Sequence, residues 1–384
     1  MNKNIILTDR QTDRIFLAVN VVLLAIGAVI RQNRYSVGIV LLVWLGLIFY
    51  GVKVRQNAGV ALTMENTKAL RGISAIEIML GHIGIATHNV VQFPNRKAGI
   101  LFVGIFFMLS GYGLAYGVAN KEGYLRGFWM KRVPTVVVPA AIVIAIDAIW
   151  HKGIGLEGVL EGGNRWYITE LIVLYLVFYI GYRLAKNNGW IVVLLMSVVI
   201  VIGAFYVGVD NPWYGSTLCF PLGIIYFEHK EWTNGLKAAT RWGAVGGLFV
   251  IMAVSMLGFF VYENTFFGNV IARNVASVSF CMIVILMLEV VSIGNTYSEI
   301  LSVISYEVFL VHGYVIGSMK EIGLTDYVFT VGVITVSVVL SVVLKKIDSM
   351  MLVRKNNHQY LQGFKRVNIK KTAENATNVN HGLY

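Results

Sequence analysis

Charge is scarce in this sequence. Of its 384 residues only 14% are Asp, Glu, Lys or Arg, against about 25% in ordinary soluble domains. Hydrophobic residues make up 57% and the mean hydropathy is +0.69, so a soluble fold would lack the polar surface to cover itself. Acidic residues are scarcer than basic ones, 20 against 32, which leaves a formal net charge of +12. Cysteine is nearly absent. Cys219 and Cys281 fall inside apolar runs, where they read as small core residues and carry no information about redox compartment. Strict apolar–polar alternation is also missing, which argues against a membrane β-barrel. Internal repeats, a soluble second domain and low-complexity linkers are likewise not visible.

What the sequence does have is long apolar runs separated by short charged clusters. About 20 residues cross a hydrocarbon core of about 30 Å as a helix. Twelve spans are predicted, near 15–30, 37–52, 72–88, 99–119, 134–150, 166–184, 190–208, 212–227, 241–262, 270–292, 301–319 and 326–344. The predicted fold is all-α, a polytopic helical bundle in a lipid bilayer. A basic start precedes the first run, but no small-residue cleavage site follows it, so that run is expected to stay as a helix. Basic residues sit at helix ends rather than along one stripe, which argues against nucleic acid as a partner. If the N-terminus is cytoplasmic and the sides alternate, most Lys and Arg fall inside. Only Arg31, Arg34, Arg96, Lys97, Lys152, Arg165, Arg273 and Lys320 are left outside. That bias fits a cell-membrane protein with an even number of spans and both termini cytoplasmic. From Lys345 onward apolar periodicity is lost, so residues 345–384 are expected to form a basic cytoplasmic tail against anionic lipid, then disorder.

Ionisable residues inside a span are costly and are candidates for function. The main ones are Glu77, His82, Asp147, Glu170, Glu289, Glu307 and His312. In the third run, LRGISAIEIMLGHIGIA, His82 lies eleven positions after Arg71. On a helix this sets them within about 20° of one face, with His82 about 16 Å deeper. Ser74 lies near the same stripe. A surface cation above a mid-membrane imidazole suits a donor with an anionic head and a long thin arm, such as a coenzyme A thioester. Arg71 could pair with phosphate, although taken alone it reads first as a positive-inside anchor. His82 could take a proton from a hydroxyl, accept the acyl group itself, or simply pack. The later segment YLRGFWMKRVPTVVVP supplies Lys131 and Arg132, a cation cluster that suits phosphate or an ordinary inner loop. Glu77 points about 140° away from His82 and is expected to contact another helix. Asp147, Glu170 and Trp166 lie near predicted outer ends, as solvated or interfacial residues or as contacts to an acceptor sugar.

Taken in order, these segments resemble the membrane acyltransferase-3 family, which O-acylates sugars and polymers. The likeness rests on Arg71-Gly72 with His82, on Phe106 through Gly111, on Phe128 through Pro139, and on Trp166-Tyr167-Ile168. Phe220-Pro221-Leu222-Gly223 and Ser305 through His312 complete it. It covers about residues 66–344, ten of the twelve spans, and leaves residues 1–65 as two extra N-terminal spans. One departure is Thr135, at a place where the family often has a second arginine of its basic loop. The resemblance implies transfer of an acyl group, expected to be acetyl from acetyl-CoA, to a hydroxyl of an exported or lipid-linked polysaccharide, with no metal. His82 is then the base or transient acyl carrier, and Arg71, Lys131 and Arg132 bind the donor. Ser74, Trp166, Glu307 and His312 shape the substrate cavity, with Glu307 able to pair with Arg71 or Arg132. A transporter or flippase of the same glycolipids is the alternative, with the buried His and acids as proton relays.

The topology is open to a direct check. A tag placed after Tyr384 should be reachable only from the cytoplasmic side; labelling from outside intact cells would overturn the orientation.

Overall fold

The computed structural model describes residues 9–150 and 165–350. Every predicted apolar run holds a helix, but the helices differ in how they could cross a bilayer. In chain order they are α1 (Asp9–Val29), α2 (Val37–Phe49), α3 (Met64–Thr87), α4 (Phe93–Asn120), α5 (Phe128–Trp150), α6 (Arg165–Leu184) and α7 (Gly189–Val207). There follow α8 (Cys219–His229), α9 (Ala238–Val261), α10 (Arg273–Leu288), α11 (Thr296–Val303) and α12 (Ser305–Lys320). The last, α13, spans Asp326–Met350. Among the described residues nine helices are long and apolar enough to cross, and the α11–α12 pair, bent by 73°, adds a tenth if counted as one span. Twelve full-length crossings are therefore not seen. Helix α2 has 13 residues and α8 has 11, about 20 Å and 16 Å of rise, both short of the hydrocarbon thickness.

The shortfall at α8 is made up by irregular chain. Residues 208–218 run into the bundle with one 3₁₀ turn at Asn211–Trp213, and Tyr214, Ser216 and Thr217 are buried. Non-helical backbone at that depth must find its hydrogen bonds inside the protein. Asn274 on α10 donates to Tyr214 O at 2.7 Å and accepts from the Leu218 amide at 3.3 Å. Ser277 reaches Gly215 O at 3.3 Å, and Thr217 donates to the Glu170 carboxylate of α6 at 2.5 Å. Glu170 is thus a buried structural acceptor, not a solvated helix-end residue. Its apolar surroundings leave Thr217 as its local donor.

Helix α3 is central. Thr63 caps it by accepting from the Asn66 amide at 3.2 Å, and its residues from Gly72 to Gly81 are buried without interruption. Glu77 accepts from Trp44 Nε1 on α2 at 2.7 Å and from Asn95 on α4 at 2.9 Å. This is the helix contact expected of it. Residues Lys53–Val54, after α2, pair antiparallel with Val291–Ser292, before α11. At the far end, α13 continues to Met350, so the start of the expected basic tail is helical. There Lys345 bonds Glu307 of α12 at 2.9 Å. Residues 351–384 and the Asp147 side chain lie outside the described residues.

Helices α4 and α8 cross unusually close. A Cβ on Gly111 would collide with the Phe220 carbonyl, and one on Gly223 would collide with the Met108 carbonyl. Reciprocal glycines of this kind let membrane helices touch backbone to backbone. Gly223→Ala should therefore cost about 1–3 kcal/mol and lower the melting temperature in detergent. Gly113→Ala, whose Cβ would meet nothing within 4 Å, should leave it unchanged. Equal melting temperatures for the two variants would contradict this packing.

Candidate active site

Helix direction defines two faces of the bundle. One holds the start of α3 with Arg71 and the start of α5. The other holds the turn from α3 into α4. His82 lies between them, eleven residues along α3 from Arg71, a rise of about 16 Å.

His82 meets His312 of α12. Nδ1 of His82 is 2.8 Å from Nε2 of His312, and Nδ1 of His312 is 2.9 Å from the Val308 carbonyl. A carbonyl oxygen can only accept, so His312 Nδ1 carries the proton. In neutral His312 the Nε2 is then an acceptor, which requires His82 Nδ1 to be the donor. His82 Nε2 is left with an unshared pair. A ring nitrogen held in this way can accept a proton. His312 is fully buried, while the His82 ring is half-buried. Among the described residues no third His, Cys, Asp or Glu joins the pair in a metal-ligating group.

The exposed part of His82 belongs to the wall of a cavity of about 490 Å³ on the second face. Trp166, Pro212, Arg96, Lys97, Glu263 and Arg273 also line it. Trp166 is therefore brought to His82 as the sequence suggested. The three cations and Glu263 were not picked out as site residues. Arg96, Lys97 and Arg273 were visible in the sequence only as topological charges.

The first face holds the other cations. Arg71 is close enough to Tyr167, Tyr175 and Arg132 to interact with each electrostatically. Arg132 donates from Nε to the Tyr124 hydroxyl at 3.2 Å, and from Nη2 to the same oxygen. Tyr124 in turn lines a cavity of about 540 Å³ together with Lys121, Arg126 and Arg183. Lys121 and Arg183 were likewise missed as site residues, because a positive-inside loop looks the same. Lys131 is exposed at this face. Between the two regions stand aromatic rings. Phe309 is 4.6 Å from Tyr167 and 5.8 Å from His312, centroid to centroid.

Two expected cavity residues are elsewhere. Ser74 is fully buried and its hydroxyl has no hydrogen-bond partner among the described residues, so packing encloses it instead of a substrate space. Glu307 is paired with Lys345, not with Arg71 or Arg132. The helical extension of α13 carries Lys345 to it, a partner that a disordered tail could not have supplied.

A family model described as an acyltransferase domain matches residues 66–346. No curated protein and no solved structure matches the chain. The family match begins two residues into α3, the helix that carries Arg71 and His82, includes His312 on α12, and ends within α13. It covers well over half the sequence, and the chain belongs to the membrane acyltransferase-3 family.

Proposed function

We propose that this membrane acyltransferase moves an acetyl group from cytoplasmic acetyl-CoA to a hydroxyl of an exported or lipid-linked polysaccharide. The reading rests on the His82–His312 hydrogen bond, which leaves one ring nitrogen of His82 free beside a cavity. In this scheme the face with Arg71 and Arg132 is cytoplasmic and the cavity at His82 opens outward, with both termini inside a cell membrane. Arg71, Arg132 and Lys131 hold the donor phosphates, with Lys121, Arg126 and Arg183 extending the basic surface. The pantetheine arm passes the Tyr167–Phe309 rings toward His82.

The acceptor hydroxyl then meets His82 Nε2. As its oxygen attacks the thioester carbonyl carbon, Nε2 takes the hydroxyl proton. The carbon–sulfur bond breaks, and the departing thiolate recovers the proton from the imidazolium. His312 accepts the Nδ1 hydrogen bond throughout and keeps the ring in place. A two-step route through an acyl-histidine would use the same nitrogen.

Purified protein given radiolabelled acetyl-CoA tests the scheme. His82→Ala should lower turnover by about 10²–10⁴-fold, the usual span for a general base. His312→Ala should lower kcat by about 10–100-fold, the scale for losing an orienting partner, with little change in the KM for acetyl-CoA. Full turnover in His82→Ala would sink the mechanism. Glycolipid movement across vesicles without any label transfer would favour a transporter.

A second measurement separates donor binding from chemistry. Arg71→Ala and Arg132→Ala should each weaken acetyl-CoA binding roughly tenfold, as expected for a lost charge-assisted hydrogen bond. Unchanged affinity in both would remove the donor site from this face.

A further inference from the structure

The cavity beside His82 is strongly cationic. Arg96, Lys97 and Arg273 face it from two helices, against a single carboxylate, Glu263. Nε of Arg96 and both Nε and Nη1 of Arg273 are buried without a hydrogen-bond partner among the described residues. What the cations do contact is aromatic. The Arg96 guanidinium lies 5.1 Å from the Phe93 centroid, Lys97 Nζ 4.6 Å from that of Phe260, and the Arg273 guanidinium 4.8 Å from that of Phe259. Ring faces attract a cation but accept no conventional hydrogen bond from every guanidinium N–H. A guanidinium in a protein does not escape by losing its proton. Unmatched buried donors make these cations costly to hold, and an anion bound beside them would offset part of that cost.

Three of their donor atoms are enclosed among protein atoms, and the residues that carry them border the cavity. The lining has an excess of two positive charges. A phosphate attached to a sugar carries close to two negative charges and several acceptor oxygens, which match guanidinium forks. His82 and Trp166 share the same wall. We propose that this cavity is an anion site for a phosphate-bearing sugar. Arg273, Arg96 and Lys97 grip the phosphate, Trp166 flanks the sugar ring, and a hydroxyl is left beside His82. As a statement about the acceptor, this rests on the acyl-transfer reading above; the anion site itself does not.

The test therefore uses binding without any acyl donor. Protein purified in lipid-free detergent is titrated calorimetrically with glucose 6-phosphate, glucuronate and glucose. Glucose 6-phosphate should bind most tightly, and Arg273→Gln and Arg96→Gln should each weaken it at least about tenfold. Arg273→Lys, which keeps the charge, should retain part of the affinity. The two Gln variants lie on different helices, and each is used only if it elutes as a monodisperse peak like the wild type. Glucose or glucuronate binding as tightly as the phosphate, or phosphate binding indifferent to both Gln variants, overturns the proposal. So does binding of phosphatidylglycerol that depends on Arg273 while glucose 6-phosphate fails to bind, since the site would then be a lipid headgroup contact. Sugar-phosphate binding without acetyl transfer would leave the anion site standing and remove the acyltransfer scheme. Transfer to glucose with no preference for the phosphate would do the reverse.

Discussion

The Val308 carbonyl can only receive a hydrogen bond, and from that restriction the proton positions on both histidines follow. His312 donates to it from Nδ1, so in a neutral ring its other nitrogen receives from His82, and a neutral His82 keeps its own Nε2 lone pair. Neither of these two bonds involves a carboxylate. A neutral imidazole backed by a backbone oxygen holds the base in one tautomer without placing a second net charge in the bilayer, where charge is expensive. The packing elsewhere keeps these two rings in register. Helix α3 is pinned on its far side through Glu77, and α12 is set at its angle by the 73° bend after α11.

Around this pair lie two separate groups of cations. Cations gather at Arg71, Arg132 and the Tyr124 cavity on one face, and at Arg96, Lys97 and Arg273 on the other. Aromatic rings lie between, with Tyr167 near Arg71 and Phe309 touching both Tyr167 and His312. A hydrated phosphate would have to shed its water to pass such a partition.

Much of this was legible in the sequence because hydropathy reports where chain can lie in lipid. All twelve apolar runs hold a helix, and the stripe joining Arg71 to His82 follows from helical periodicity alone. Hydropathy does not report how an apolar run is built, so the short α8 and the buried irregular chain before it were read as one ordinary span. Glu170 was misread for the same reason, since its partner Thr217 sits on that irregular chain. Pairings between distant segments also leave no trace in periodicity. The partner of Glu307 could be named only once α13 was seen to continue to Lys345, and His312 gave no sign of the nitrogen it meets. Loop cations were hardest to assign, because a charge that orients the chain in the membrane and one that grips a ligand are the same residue type in the same place.

Homology and cooperative folding need not share a border, and Glu77 shows why. It lies inside the segment common to the family, yet one of its two carboxylate oxygens is satisfied by Trp44, which precedes that segment. A chain begun at residue 66 would keep the whole family segment and still expose an unmet acceptor on the back of the helix that carries His82. The two leading helices are in this sense part of the scaffold, and dissecting the protein at its family boundary would divide a single structural unit.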